Sequence, residues 1–226
     1  EFYQIDPKDS WVVAAAEKRM TEGRHAVAGI STGLLSLDAK VPGLAPGDLV
    51  LLAGRPGMGK TAVALDIAHS AALRGEGVAF DSLEMSQPQI RARLLADHLE
   101  RLGHRLSFTA IDRRLIQPGD VEPLRRAADA LDAMPLVIFD RGNRIDEIPA
   151  KIKEARRRLA RIGRELKLYV LDYLGLVRPT DRYRGDRVRE VGEMSAALKA
   201  MAKQEALPFL VLQQLSRANE ARRDKR

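Results

Sequence analysis

The sequence predicts an α/β fold, a mainly parallel central sheet flanked by helices. Three observations carry that prediction: five short apolar runs alternate with helix-like segments, a glycine-rich loop separates the first run from the first long helix, and carboxylates or amides close the later runs. Strands separated by helices pair in parallel and are buried on both faces. Functional groups in such sheets gather beyond the carboxyl ends of the strands.

The first run, residues 49–53, reads Leu-Val-Leu-Leu-Ala and leads into Gly54-Arg55-Pro56-Gly57-Met58-Gly59-Lys60-Thr61. This is a complete G-x-x-x-x-G-K-[ST] register, which arises by accident in about one in a hundred chains of this length. Chance is set aside. The following helix spans 62–73 with Ala64, Ile67, Ala68 and Ala71 on one face, and Gly75 and Gly77 end it. Residues 78–81 form the second strand. Ser86 and Gln89 have capping-box spacing, with Pro88 in the first turn, for a helix to about residue 102. Segment 103–118 has no readable pattern, and Asp120 is an N-cap for a helix over 121–134 that Pro135 stops.

The third strand covers 136–140. Ile148, Ile152, Ala155, Leu159, Ile162 and Leu166 then recur at four and three, predicting one amphipathic helix. Its other face carries Lys153, Arg156, Arg157, Arg158, Arg161 and Arg164, either as a solvated surface or as a nucleic-acid contact. Strands at 168–173 and 209–214 enclose a helix over 186–205. Ahead of the first strand lies a turn-rich lead-in with Gly33, Pro42, Gly43, Pro46 and Gly47. A helix from Trp11 to about Glu22, capped by Asp9 or Ser10, has an apolar side that docks on its own domain or on a neighbouring subunit.

Composition narrows the function classes. There is no cysteine, so disulfides, thiolate metal sites and thiol nucleophiles are excluded. His25, His69, His98 and His104 lack ligand spacing and read as ordinary surface or core residues. No apolar run approaches the roughly 20 residues of a membrane span, and a soluble cytoplasmic protein is expected. The net charge of +7 suits a polyanionic partner, although 28 of the 38 basic residues are arginine, as a compositional habit also produces. Aromatic residues make up 4% of the chain, which argues against a stacking platform for bases.

The loop residues set the chemistry. The glycines curl the backbone of residues 54–62, Gly54 through Ala62, so that its N–H groups, which Pro56 lacks, point inward at phosphate oxygens, helped by the helix N-terminus. Lys60 reaches the β- and γ-phosphates, and Thr61 ligates Mg²⁺. Asp172, at the end of its strand, is a carboxylate to hold Mg²⁺ through water, or a simple turn residue. Glu84, just past the second strand, either polarises the attacking water or stabilises the next helix dipole. Gln214 senses the γ-phosphate or is only a polar strand terminus.

With these residues in place, the chain resembles the DnaB-type replicative helicases, specifically their RecA-like C-terminal P-loop NTPase domain. The resemblance runs from about Ile30 to Arg226. It rests on Ser31-Thr32-Gly33 with Leu37-Asp38, Gly47-Asp48-Leu49, the loop 55–61, and Leu83-Glu84-Met85-Ser86. It continues through Leu171-Asp172-Tyr173-Leu174, Glu190-Val191, Leu198-Lys199, Ala202-Lys203, Leu212-Gln213-Gln214-Leu215-Ser216-Arg217 and Arg223-Asp224-Lys225-Arg226. Leu174-Gly175 departs from the Leu-Gln of many members.

The resemblance implies ATP and Mg²⁺ as cofactors, Lys60 and Thr61 as their ligands, Glu84 as the catalytic carboxylate, Asp172 on the metal side and Gln214 as sensor. It also implies single-stranded DNA as partner, a homo-oligomeric hexameric ring, and primase or loader contacts through parts outside this sequence. Residues 1–28 become an N-terminal segment with a linker helix, and 29–226 the ATPase domain without its C-terminal part. The family's DNA-binding loop and Lys-x-Arg finger are expected beyond Arg226, so this stretch alone is expected to hydrolyse ATP weakly. The arginine-rich stretch 178–187 is a candidate channel loop or a solvated one. Two rivals stand beside this reading: a recombinase-like or clock-protein-like RecA ATPase without unwinding, and a nucleotide-dependent assembly module.

Overall fold

The computed structural model describes residues 29–41, 43–178 and 187–215, with 187 and 188 as backbone only. The helix expected over 11–22, most of the loop 178–187 and the motif residues from Ser216 onward lie outside the described residues. Five strands form one sheet: β1 Leu49–Gly54, β2 Gly77–Ser82, β3 Leu136–Phe139, β4 Leu166–Asp172 and β5 Phe209–Gln214, in the order β1-β5-β4-β2-β3. Every pairing is parallel. The fold class read from the sequence is the one observed.

Helices follow in chain order: α1 Leu35–Asp38, α2 Lys60–Leu73, α3 Gln87–Arg101, α4 Phe108–Asp112, α5 Val121–Asp132, α6 Ile148–Ala160 and α7 Arg187–Gln204. Strand side chains alternate between faces, and this alternation divides the core in two. Val78, Phe80, Leu168, Val170, Leu210 and Leu212 face α2, α3 and α5. Ala79, Val137, Tyr169, Leu171, Phe209 and Val211 face α6 and α7. α2 is buried nearly all round, from Ala64 to Ala72 apart from Asp66, because it lies on the sheet and is covered again by α3.

Two local expectations are corrected, and one unread segment gains a helix. The amphipathic stripe is not one helix: α6 ends at Ala160, and Gly163, at φ +66°, reverses the chain. The Gly163 N–H bonds the Ala160 carbonyl at 3.1 Å and the Arg164 N–H that of Leu159 at 3.0 Å, closing the helix end. Ile162 is consequently 55% exposed, and Leu166 opens β4 instead of ending a helix. Asp120 does not cap α5, because its backbone is already helical in a 3₁₀ turn over Pro118–Asp120. Its carboxylate instead accepts from the Gln117 N–H at 3.0 Å and meets His104 Nε2 at 2.9 Å. The unreadable 103–118 segment contains α4, capped by Ser107 Oγ accepting from the Ala110 N–H at 3.1 Å.

The basic face of α6 is occupied largely by the domain itself. Arg157 and Arg158 bind Glu154, and Arg156 reaches Glu205 beyond α7. The lead-in is tied by Asp38, whose carboxylate accepts from Ser31 Oγ at 2.7 Å, Thr32 Oγ1 at 2.8 Å and the Thr32 N–H at 2.9 Å. Arg74, just past α2, donates to the Ser31 carbonyl at 2.7 Å and fastens that knot to the helix.

One buried ionic cluster holds the carboxyl end of β2. Asp81 is fully buried; Lys151 of α6 donates to both its oxygens at 2.8 Å and Tyr169 of β4 to one at 2.7 Å. The same ammonium donates to the Gly142 carbonyl at 2.6 Å, anchoring the turn after β3. Burial raises the proton affinity of Asp81 despite Lys151, so the ion pair is required to keep the carboxylate charged. Lys151→Met strips away that compensation. Stability is expected to fall by about 3–5 kcal/mol, read from urea unfolding, and the paired Asp81→Asn/Lys151→Met protein should recover part of the loss.

Candidate nucleotide site

The parallel register brings the predicted site residues to one edge of the sheet. Gly54, the last residue of β1, pairs with Gln214, the last of β5, while Ser82 of β2 pairs with Asp172 of β4. Two backbone bonds extend the register beyond the strands: Leu215 N–H to the Gly54 carbonyl at 3.1 Å, and Leu83 N–H to the Asp172 carbonyl at 2.6 Å. Chain segments far apart in sequence thus end side by side.

The loop between β1 and α2 is open and shaped by its glycines. Gly57 and Gly59 have φ of +75° and +81°, and a Cβ at either would meet nothing within 4 Å. Their requirement is therefore conformational, since other residues are strained in the left-handed region. Arg55, Pro56, Met58 and Ala62 are exposed around the cradle, Met58 at 71%. Lys60 Nζ donates to the Arg55 carbonyl at 2.9 Å, so the lysine bridges the loop from its helical end back to its start.

Thr61 and Asp172 meet. Thr61 Oγ1 donates to Asp172 Oδ2 at 2.8 Å, although 111 residues separate them. Asp172 is 1% exposed. Burial raises its proton affinity; the Thr61 bond, Lys60 and Arg93 oppose that, and Glu84 adds to it. Glu84 itself is exposed, on the loop between β2 and α3. α3 begins at the far end of this loop. The Ser86 N–H bonds Gln89 Oε1 at 3.1 Å in the expected capping box, and the Gln87 N–H is met by Asp140 Oδ2 at 2.9 Å.

Gln214 lies in register with Gly54 and is partly buried. Its neighbour Gln213 donates through Nε2 to the Gln214 carbonyl at 3.2 Å, and Gln213 Oε1 is buried with no hydrogen bond among the described residues. Sequence reasoning passed over Arg93 on α3, which reads as one more surface arginine. Its guanidinium stacks 4.4 Å from the Phe108 ring centroid, its Nε is buried without a hydrogen bond among the described residues, and it acts on Asp172. No pattern in the sequence marks it, because its partner lies in the unreadable segment. The hollow of 540 Å³ among Ile30, Leu44, Arg156, Leu166, Leu207 and Pro208 lies at the opposite ends of the strands.

Oxygen donors from a threonine and an aspartate suit a hard cation such as Mg²⁺, which keeps several waters and phosphate oxygens and needs few protein ligands. Among the described residues no three His, Cys, Asp or Glu side chains converge as a closed metal cage. No helix among them is long and apolar enough to cross a membrane.

Comparison with known proteins agrees with this geometry. The family model for the DnaB-like helicase C terminal domain matches residues 29–226. The replicative DNA helicase DnaB of Rickettsia bellii (strain RML369-C) is 38% identical over 95% of this chain, and that of Geobacillus stearothermophilus 35% over 88%. The chain spans 43% and 42% of those proteins, less than half of either. Among solved structures, one described as an ATPase domain superposes with a TM-score of 0.79 at 27% identity, covering 98% of this chain and 76% of that one. A DnaB-like replicative helicase, described with its interactions with primase, superposes at 0.77 and 28% identity, covering 99% and 52%.

A raised Asp172 proton affinity means that the folded chain holds this proton more tightly than the unfolded chain does. The associated stability is present at low pH and lost as pH rises through the folded value. At neutral pH the buried carboxylate is therefore a net cost. Asp172→Asn is expected to raise the urea midpoint of the nucleotide-free protein at neutral pH, with the gain vanishing in acid.

Proposed function

The chain belongs to the DnaB-like helicase C-terminal domain family, and from that premise we propose that it is the ATP-hydrolysing motor of a replicative DNA helicase, driving movement along single-stranded DNA. The observation that carries the proposal is the Thr61–Asp172 contact at 2.8 Å, which unites the phosphate loop with the acidic end of β4. The curated relatives, named as replicative helicases, favour this reading over a recombinase-like ATPase or a bare assembly module.

The roles follow from position. The backbone of 54–62 and the N-terminus of α2 bind the phosphates, and Lys60 exchanges its bond to the Arg55 carbonyl for phosphate oxygens. Thr61 and Asp172 would hold Mg²⁺. The ion, when bound, neutralises charge that develops on the transferred phosphoryl group. Glu84 stands exposed beside this floor, where it orients and accepts a proton from the attacking water. Gln214, in register with Gly54, reports on the γ-phosphate.

Assembly follows the same logic. A nucleotide held at an open strand-end edge is completed by a neighbouring subunit, so a homo-oligomeric ring, a hexamer by family, is part of the proposal. Arg178, exposed and paired through its backbone with the turn at Arg144, leads into the arginine-rich stretch proposed to follow DNA phosphates. Contact with primase is proposed from the family, as one structural relative is described with that partner.

DNA-stimulated ATP hydrolysis together with directional strand displacement tests the proposal, and its absence from the intact protein rejects it. Lys60→Ala is expected to abolish ATP binding in an equilibrium titration. Glu84→Gln should keep ATP binding while turnover falls by about 10²–10⁴-fold; normal turnover removes Glu84 from the mechanism.

A further inference from the structure

α2 carries Lys60 and Thr61 at its start, and α3 follows the loop that carries Glu84. Where the two helices cross, their side chains make a polar cluster whose two histidines are buried and whose Asp97 and Arg101 reach the surface. His69 of α2 is fully buried and His98 of α3 nearly so. His69 Nδ1 is hydrogen-bonded to the Asp97 carboxylate of α3, and His69 Nε2 lies 3.2 Å from His98 Nδ1. Arg101 ties the same helices, bonding Asp97 through Nε at 3.0 Å and Asp66 of α2 through its terminal nitrogen.

Among the described residues, the other groups packed around this crossing are apolar or engaged elsewhere. Under α2 the sheet presents Val78, Phe80, Leu168 and Val170. Asp132 of α5 is taken up by Arg91 at 2.6 Å, Arg93 lies over Phe108 of α4, and His104 beyond α3 pairs with Asp120. The groups acting on His98 are His69, Asp97 and Arg101.

Proton counting then gives three states. Asp97 keeps a proton on His69 Nδ1 in all of them. With both rings neutral, His98 Nδ1–H donates to the His69 Nε2 lone pair. With one ring charged, the bond reverses and His69 Nε2–H donates to His98 Nδ1. A second charge turns two N–H groups towards each other at 3.2 Å, beside Arg101 and with Asp97 the one carboxylate among the described residues bonded to either ring. That state has no hydrogen bond between the rings and repels across the helix crossing.

We propose that the His69–His98 pair is a proton-gated clamp that positions the phosphate loop against Glu84, closed with up to one added proton and released by the second. It rests on the nucleotide-site reading of Lys60 and Glu84. Burial, then His69, lower the proton affinity of His98 from the ordinary 6.5. A depressed value in the folded state contributes stability that is present above the unfolded value and lost as pH falls through the folded one. Release therefore falls on the acid side of neutrality.

The test measures kcat and KM for ATP hydrolysis from about pH 8 to about pH 5 in the unaltered protein and in His98→Gln, which keeps an amide donor but takes no proton. The unaltered protein is expected to lose about tenfold in kcat across the acid limb with KM changed by less than about twofold. His98→Gln should stay flat over that window. An identical acid limb in His98→Gln overturns the clamp. If that variant does not fold, proton NMR of the unaltered protein decides: two coupled steps for His69 and His98 support the proposal, and two independent ordinary titrations overturn it. Lys60→Ala separates the layers, since normal ATP binding by that variant rejects the nucleotide site itself, whereas lost binding beside an unchanged acid limb in His98→Gln rejects the clamp alone.

Discussion

A single hydroxyl–carboxylate contact, Thr61 Oγ1 to Asp172 Oδ2 at 2.8 Å, is the constraint on which the rest of the site depends. It is possible because β5 intervenes between β1 and β4, so that the loop leaving β1 reaches across one strand to the end of β4. Any shift of register by one residue turns Asp172 to the other face. The carboxylate is buried at a cost that burial of a charge always carries, and the fold bears that cost beside the open loop 54–61. On the role proposed for Asp172, stability is given up where phosphate and cation chemistry needs an unsaturated oxygen.

The opposite face of the sheet solves a related problem by another route. Asp81 lies deeper than Asp172, yet Lys151 and Tyr169 saturate it, and the lysine also secures the Gly142 carbonyl. One strand-end carboxylate is thus fully answered and holds a turn in place; the other is answered by a single hydroxyl and two more distant cations. The contrast fits a structural role for Asp81 and the cation-holding role proposed for Asp172.

Much of this was legible in the sequence, and the legible parts share a cause. The loop 54–61, the five strands and the position of Asp172 are written in local patterns: glycines where φ is positive, apolar runs where strands enter the sheet, a carboxylate where a run ends. What local patterns missed depended on neighbours far away in sequence. Leu166 keeps helical spacing but belongs to β4, because Gly163 had already turned the chain. Asp120 has the chemistry of a cap but directs it to Gln117 and His104. His69 and His98, 29 residues apart, look unremarkable until α2 and α3 cross. Arg93 gains its significance from a phenylalanine in a segment with no periodicity at all. Glu84 and Gln214 fall between these cases, since their places at the strand ends were readable while the reach of their side chains was not.

The bond between Lys60 and the Arg55 carbonyl has a thermodynamic meaning of its own. A lysine waving in solvent would surrender rotamer freedom on capturing a phosphate. Here the bond to the Arg55 carbonyl already restricts that freedom and bridges the loop. On the role proposed for Lys60, arrival of a phosphate is then a substitution in which one acceptor replaces another, and part of the ordering cost of recognition has been met during folding.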